Sequence, residues 1–349
     1  MRLARTLLLS TTLLSSTALT AQADVNVVAS VKPVHSLVAA VMEGVGEPKL
    51  IVKGAGSPHN YALKPSQAKD LENADVVFWI GHELEAFLEK PLEAIATRAK
   101  TVELVDAHGL VMHELREGGA FEAHEHDHGD EHDHEEHAEH DHDGDHDHEE
   151  HAEHDHDGDH DHEEHAEHGH DDHGHGEFDP HIWLDPVNAK AMVHEIEEVL
   201  VEADPGNAER YEANAEKLEA KLDVLIGEVS AELESVKGKS FVVFHDAYQN
   251  FEKRFGLTAA GSITVSPEVM PGAERISKLQ AKLGALNAAC VFSEPQFEPK
   301  LVATVAEGTS AKTGVLDPLG ASIDDGPELY FTLIRNMADA FRTCLTETS

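Results

Sequence analysis

Short apolar runs alternate with helix-length amphipathic segments toward both ends of the chain, and the alternation stops in the middle. Before the break, residues 25–29, 49–53, 75–80 and 101–105 are short apolar runs of strand length, and residues 33–45, 65–73 and 82–99 between them fit helices. Pro33 and Pro65 open two of these helices, at the position where a missing N–H costs nothing. Strand and helix in strict alternation predict a parallel sheet covered by helices.

After the break the pattern resumes at FDPHIWLDP, residues 178–186, where Asp185-Pro186 can cap and start a helix that runs to about residue 203. Asp204-Pro205 repeats the start signal. Tyr211, Ala215, Leu218, Leu222, Leu225, Val229 and Leu233 then recur at intervals of three and four, a single apolar stripe. A helix of about thirty residues is near 45 Å long, enough to join two lobes. Beyond Gly238 a second series predicts strands at 240–244, 257–263, 289–293 and 312–316 and a last helix at 327–345. The fold class is α/β: two lobes, residues 24–203 and 239–349, each with a four-stranded parallel sheet flanked by helices, joined by one long helix within 204–238.

Composition adds a compartment and a ligand class. Residues 1–23 have the layout of a secretory signal peptide, with Arg2 and Arg5, an apolar middle and an Ala21-Gln22-Ala23 cleavage site, so the mature chain is expected to begin near Asp24. The net charge of -42 excludes nucleic acid as a partner and suits a cation. Residues 123–176 contain 24 of the acidic residues, no lysine or arginine, and 20 of the 28 histidines, with HAEHDHDGDHDHEE occurring twice in succession from His137. These histidines are His124, His126, His128, His132, His134, His137, His140, His142, His146, His148, His151, His154, His156, His160, His162, His165, His168, His170, His173 and His175. Over 119–176 only Phe121 offers an apolar anchor, so disorder without metal is expected there. A long insertion is compatible with a folded host, because each doubling of a loop adds only about 0.6 kcal/mol of closure cost.

In an open parallel sheet ligands bind at the carboxyl ends of strands. Four candidates stand at such ends: His59 in GAGSPHNYALKPS, His181 in DPHIW, His245 in FHDAY and Asp317 in LDPLG. Three imidazoles and one oxygen donor suit tetrahedral Zn²⁺. His35 is expected to pack or hydrogen bond behind such a site, and Glu294 in FSEPQF could serve as a base beside a metal-bound water. Cys290 and Cys344, the only cysteines, read as one bridge in an oxidising compartment or as two buried thiols.

GAGSPHNYALKPSQA, DPHIWLDP, FHDAYQNFEKRFG, SEPQFEP and GVLDPLG, in this order across about residues 25–345, resemble the zinc-binding members of the metal-specific solute-binding proteins of bacterial ABC transporters. The resemblance implies two α/β lobes joined by a rigid helix, with the transported Zn²⁺ held in the cleft between them and no enzymatic step. It places the chain in the periplasm, as a monomer, with the membrane permease and periplasmic zinc chaperones as partners. The family's histidine ligands fall on His59, His181 and His245. Manganese-binding relatives carry a carboxylate where His245 stands, as the harder ion requires. Some zinc receptors have a glutamate before the first histidine, but this chain has Pro58, which leaves Asp317 or a water as the fourth ligand. The resemblance also implies a Cys290–Cys344 disulfide and a histidine-rich insertion acting as an auxiliary low-affinity collector or sensor. A zinc-dependent hydrolase using Glu294 and a pure zinc buffer are the competing readings.

Overall fold

Apolar runs buried on both faces make the inner strands of two parallel sheets in the computed structural model, which describes residues 25–116, 121, 178–264, 267, 271–286 and 288–346. The predicted leader and the histidine tract, with the disorder expected for it, lie outside the described residues. The first sheet contains β1 (Val27–Ala29), β2 (Lys49–Leu50), β3 (Val76–Trp79) and β4 (Lys100–Glu103), in the order β2-β1-β3-β4. The second contains β5 (Phe241–His245), β6 (Gly261–Thr264), β7 (Cys290–Ser293) and β8 (Lys312–Val315), in the equivalent order β6-β5-β7-β8. Every pairing within them is parallel. In this arrangement the order in which strands are added reverses between the first and third strands of each sheet, which opens a crevice at their carboxyl ends. In the second sheet that crevice is flanked by His245, the last residue of β5, and by Glu294, directly after β7.

The helices are α1 (Lys32–Val41), α2 (Pro65–Glu72), α3 (His82–Ala94), α4 (Pro186–Ala203), α5 (Ala208–Leu233), α6 (Gln249–Phe255), α7 (Ala273–Leu286), α8 (Lys300–Ala306) and α9 (Leu329–Thr346). Asp185 caps α4, its Oδ1 accepting from the Val187 N–H at 2.8 Å. The seven residues of the predicted stripe are the buried residues of the 26-residue α5, which packs against α1, α4 and α9. One apolar core runs continuously from the first sheet through these helices to the second, and a smaller cluster lies where α7 and α8 cover the other face of the second sheet. Polar contacts reinforce the connection: Lys32 donates to the Ile323 carbonyl at 2.6 Å, and Ser36 to that of Gly326 at 2.7 Å. The Cys290–Cys344 disulfide ties β7 to α9. By closing a segment with a sequence separation of 54 residues, it removes unfolded-state entropy equivalent to about 4 kcal/mol.

Several predicted elements are shorter than the apolar runs that announced them. The 49–53 strand stops at Leu50, although the N–H groups of Ile51 and Val52 still bond to Ala29 and Ser30, because the chain turns at Gly54, whose φ is +64°. The 257–263 strand begins only at Gly261; Leu257 and Ala259 are buried in the turn that follows α6, where the Ala259 N–H donates to Glu252. The 82–99 helix ends at Ala94, three residues after Pro91. Burial alone does not distinguish a strand from a buried turn.

Residues on either side of the tract are joined. Glu114 and Phe178 form an antiparallel bridge, and the Asp179 N–H donates to the His113 carbonyl at 2.8 Å. Arg116, just before the tract, pairs with Asp246 and Glu252 of the second half.

Leu225, fully buried at the centre of the α5 stripe, tests how far the shared core governs stability. Leu225→Ala should lower the unfolding free energy of the metal-free protein by about 2–5 kcal/mol in a single transition, measured by urea denaturation.

Candidate metal centre

Three histidines from three distant segments meet at one point. His59 lies in a 3-10 turn, Pro58–Asn60, entered through Ser57, whose Oγ accepts the His59 N–H at 3.3 Å. The loop before it passes close to Tyr61: a Cβ on Gly56 would come within 2.9 Å of the Tyr61 ring. That ring packs on Phe87 of α3 at 5.4 Å. The start of α3 is held by Glu85, whose buried carboxylate accepts the Ile80 and Gly81 N–H groups and is pushed by burial up to about 7.

His181 opens a second 3-10 turn, Ile182–Leu184, and His245 ends β5. The ring centroids are 5.2 Å apart for His181–His245, 5.4 Å for His59–His181 and 5.6 Å for His59–His245. One nitrogen from each ring lies within 4.8 Å of the other two. The Nε2 atoms of His181 and His245 are 3.4 Å apart. Two nitrogens at about 2.0–2.1 Å from one tetrahedral zinc lie about 3.3–3.4 Å from each other, so this pair has the spacing of ligands.

Carboxylates behind two of the rings set their orientation. His181 Nδ1 donates to Asp179 Oδ1 at 2.7 Å, and the same oxygen accepts the His181 backbone N–H at 3.0 Å. His245 Nδ1 donates to Glu294 Oε1 at 2.7 Å. A carboxylate only accepts, so each Nδ1 carries a proton and each Nε2 is the nitrogen left to bind an ion. Asn250 steadies Asp179 by donating to its other oxygen at 3.0 Å.

Electrostatics separate the three. Burial, then the neighbouring imidazoles, hold His59 and His181 well below the usual 6.5. Burial also depresses His245, but Glu294, with smaller help from Asp246 and Asp179, more than offsets it and leaves the ring above 6.5. Burial raises Asp179 to about 6 despite the hydrogen bond from the His181 backbone and the nearby Arg116 charge. At neutral pH the centre therefore offers two imidazoles that resist protonation and one that competes with protons.

The rings line a cavity of about 10 Å³ shared with Ser57, Pro58, Trp183, Glu294, Gln296, Phe297, Pro318 and Leu319. Trp183 covers one side, its ring 5.3 Å from that of His181 and its Nε1 donating to the Pro318 carbonyl at 2.8 Å.

Asp317 is placed differently from the three histidines. Its Oδ1 accepts the N–H groups of Leu319 and Gly320 at 3.1 and 2.9 Å and Gln296 Nε2 at 3.1 Å; its Oδ2 accepts the Ala321 N–H at 2.6 Å. Among the described residues the convergent group contains His59, His181 and His245, without Asp317. His35 is buried and bonds through Nε2 to the Pro48 carbonyl at 3.1 Å, as a packing histidine does. Asp179 was not among the candidates read from the sequence, although an acidic residue two positions before a histidine in the DPH turn was the available signal. Glu294 was expected there only as a base.

The chain matches the family described as ZnuA, zinc-uptake complex component A, periplasmic, over residues 27–344. It is 57% identical over 321 residues to the high-affinity zinc uptake system protein ZnuA of Brucella suis biovar 1, with 92% of each chain covered. To the protein of the same name from Brucella abortus strain 2308 it is 58% identical over 319 residues, with 91% of each covered. A crystal structure of ZnuA shares its fold with a TM-score of 0.68 at 21% identity, over 93% of this chain and all of that one. The histidine-lined crevice thus belongs to a chain that is a member of the ZnuA family of periplasmic zinc-uptake components.

Proposed function

We propose that this chain captures Zn²⁺ through Nε2 of His59, His181 and His245 and delivers it to the membrane permease of an ABC transporter. The observation that carries the reading is the 3.4 Å approach of two imidazole nitrogens whose rings are held through Nδ1 by carboxylates. A proton on His245 Nε2 bridges them at low pH, and a divalent cation that displaces it is coordinated by both. Three imidazoles favour zinc over manganese, and His245 is the position that decides this. Family membership assigns the role of a periplasmic receptor rather than an enzyme. Glu294 Oε1 accepts from His245, which gives that carboxylate the role of orienting a ligand ring.

The lobe limits 24–203 and 239–349, with a joining segment at 204–238, accord with the two sheets and with α5 between them. For the tract at 124–175 we propose several weaker zinc sites. Its repeated histidines and carboxylates come without apolar anchors, so ordering each site opposes binding there. Periplasmic zinc chaperones fit as further partners, with the chain acting as a monomer.

His59→Ala, His181→Ala and His245→Ala combined, in a chain lacking residues 119–176, should bind no zinc tightly by calorimetry with mass-spectrometric counting. One tightly held ion in that variant overturns the site assignment. With the intact chain, the first equivalent of zinc should enter the three-histidine centre and later equivalents the tract; imidazole NMR shifts at the tract during the first equivalent would reverse this order.

Zinc binding should weaken with acid from above pH 6.5 downward, because His245 is the ring with the raised pKa and must lose its proton to bind. His59 and His181, held low, add proton competition only at more acidic pH. Glu294→Gln removes what raises His245, so the acid limb should move to lower pH, while affinity at neutral pH falls about 10–100-fold. Chelator competition across pH reads both effects.

A further inference from the structure

The first turn of α1 stands at the carboxyl end of β1, the place in the first sheet that corresponds to the end of β5 in the second. None of the three histidines stands there. Instead two buried polar residues, Lys32 and Ser36, reach across to residues 323–326 of the second half. Lys32 Nζ donates to the Ile323 carbonyl at 2.6 Å and pairs with Asp325 at 3.2 Å. Ser36 Oγ donates to the Gly326 carbonyl at 2.7 Å and accepts the Tyr330 N–H at 3.0 Å. A buried ammonium near a helix N-terminus is unfavourable twice over, because it loses hydration and meets the positive end of the helix dipole. Among the described residues Lys32 offsets this through the Ile323 carbonyl and Asp325. It therefore cannot give up these partners and stay buried: the contact is either made or broken.

Two paths run from this contact to the metal centre. The first is the chain itself. Pro318 and Leu319 line the three-histidine cavity, and Asp317 fixes the turn they belong to by accepting the N–H groups of Leu319, Gly320 and Ala321. From there the chain reaches Lys32 within a few residues, between Gly320 and Gly326, whose φ angles of +72° and +140° favour glycine. The second path runs through side chains. Ser36 holds the Tyr330 N–H, the Tyr330 hydroxyl donates to the Trp183 carbonyl at 2.7 Å, and Trp183 Nε1 donates to the Pro318 carbonyl at 2.8 Å. Both paths end on the same wall of the cavity.

Resting on the three-histidine reading above, we propose that Lys32 and Ser36 are positioning residues which latch residues 317–326 against α1, and that this latch sets how long the bound ion stays. With the latch made, Pro318 and Leu319 are held over the rings. With it broken, the wall can move while the imidazoles keep their orienting carboxylates, so the ion escapes from a centre whose ligands are otherwise intact. The Asp325 side chain is 44% exposed, so the ion pair that secures the latch is within reach of solvent and salt.

The test uses the full chain loaded with one equivalent of Zn²⁺ and follows release to excess chelator. Ser36→Ala and Lys32→Met should each release the ion about 10-fold faster with the association rate unchanged. Asp325→Asn, a change at a partly exposed position, should also quicken release. It should further remove the acceleration that added salt produces in wild type, because screening acts on the Lys32–Asp325 pair. A role confined to stability would lower the unfolding free energy and leave the release rate and its salt dependence as they are. Release at the wild-type rate from Ser36→Ala and Asp325→Asn overturns the inference, even where Lys32→Met does not fold. So does a salt dependence that persists undiminished in Asp325→Asn. If the first equivalent of zinc leaves the imidazole NMR resonances of His59, His181 and His245 unshifted, the three-histidine reading itself fails and the latch with it.

Discussion

Two imidazole Nε2 atoms held 3.4 Å apart in a buried crevice are the constraint around which the molecule is organised. Left alone the rings could rotate apart. Here they cannot turn freely, because each Nδ1–H is bonded at 2.7 Å to a carboxylate with almost no solvent access. The carboxylates in turn need support against burial. Asp179 has Asn250 and the His181 backbone, and Glu294 begins the turn after β7, next to the strand that ends in His245. A centre assembled in this way meets a cation with its ligands already oriented, so little ordering remains to oppose binding.

This order is possible because the two halves share a core instead of merely touching. His181 comes from the segment before α4 and His245 from β5, and the residues beside them interlock. Trp183 reaches the Pro318 carbonyl, Tyr330 of α9 reaches the Trp183 carbonyl at 2.7 Å, and Arg254 forms a bidentate pair with the Asp185 that caps α4. α5 lies against α1, α4 and α9, so its apolar stripe contributes to positioning the site as well as to stability. His59 is held differently. No carboxylate stands behind its ring among the hydrogen bonds of the described residues; its turn is braced by the Tyr61–Phe87 contact and by α3. It is also the least buried of the three.

Much of this was legible before any coordinates. Eight apolar runs marked eight strands, and the α5 stripe was read residue by residue, because apolar positions recurring every three and four residues over many turns fall on one face of a helix and scatter across both faces of a strand. His59 and His245 could be picked out because each lies past a strand-length apolar run, and His181 because Pro180 and Trp183 flank it in DPHIW. The ends of elements were less readable. Ile51, Val52, Leu257 and Ala259 are as apolar as strand residues but bury their side chains in turns, and the choice there depends on neighbours distant in sequence. Asp317 had the same local appearance as the histidines, a polar residue after an apolar run, and its engagement with the 319–321 turn and Gln296 emerged only in three dimensions.

By itself the sequence determined the strand-and-helix alternation, the joining helix, the acidic balance and the set of histidines available to a metal, since each depends on residue type and local spacing. Which nitrogen of each ring faces inward, which carboxylates hold them, and which polar atoms are left without partners were decided by the tertiary structure alone. Apart from the local Asp179–His181 bond, those properties come from residues distant in sequence, such as His245 with Glu294 and with His181, 49 and 64 residues apart. No local pattern encodes such a pairing, because the bond exists only after two sheet edges and a turn have been brought to the same point.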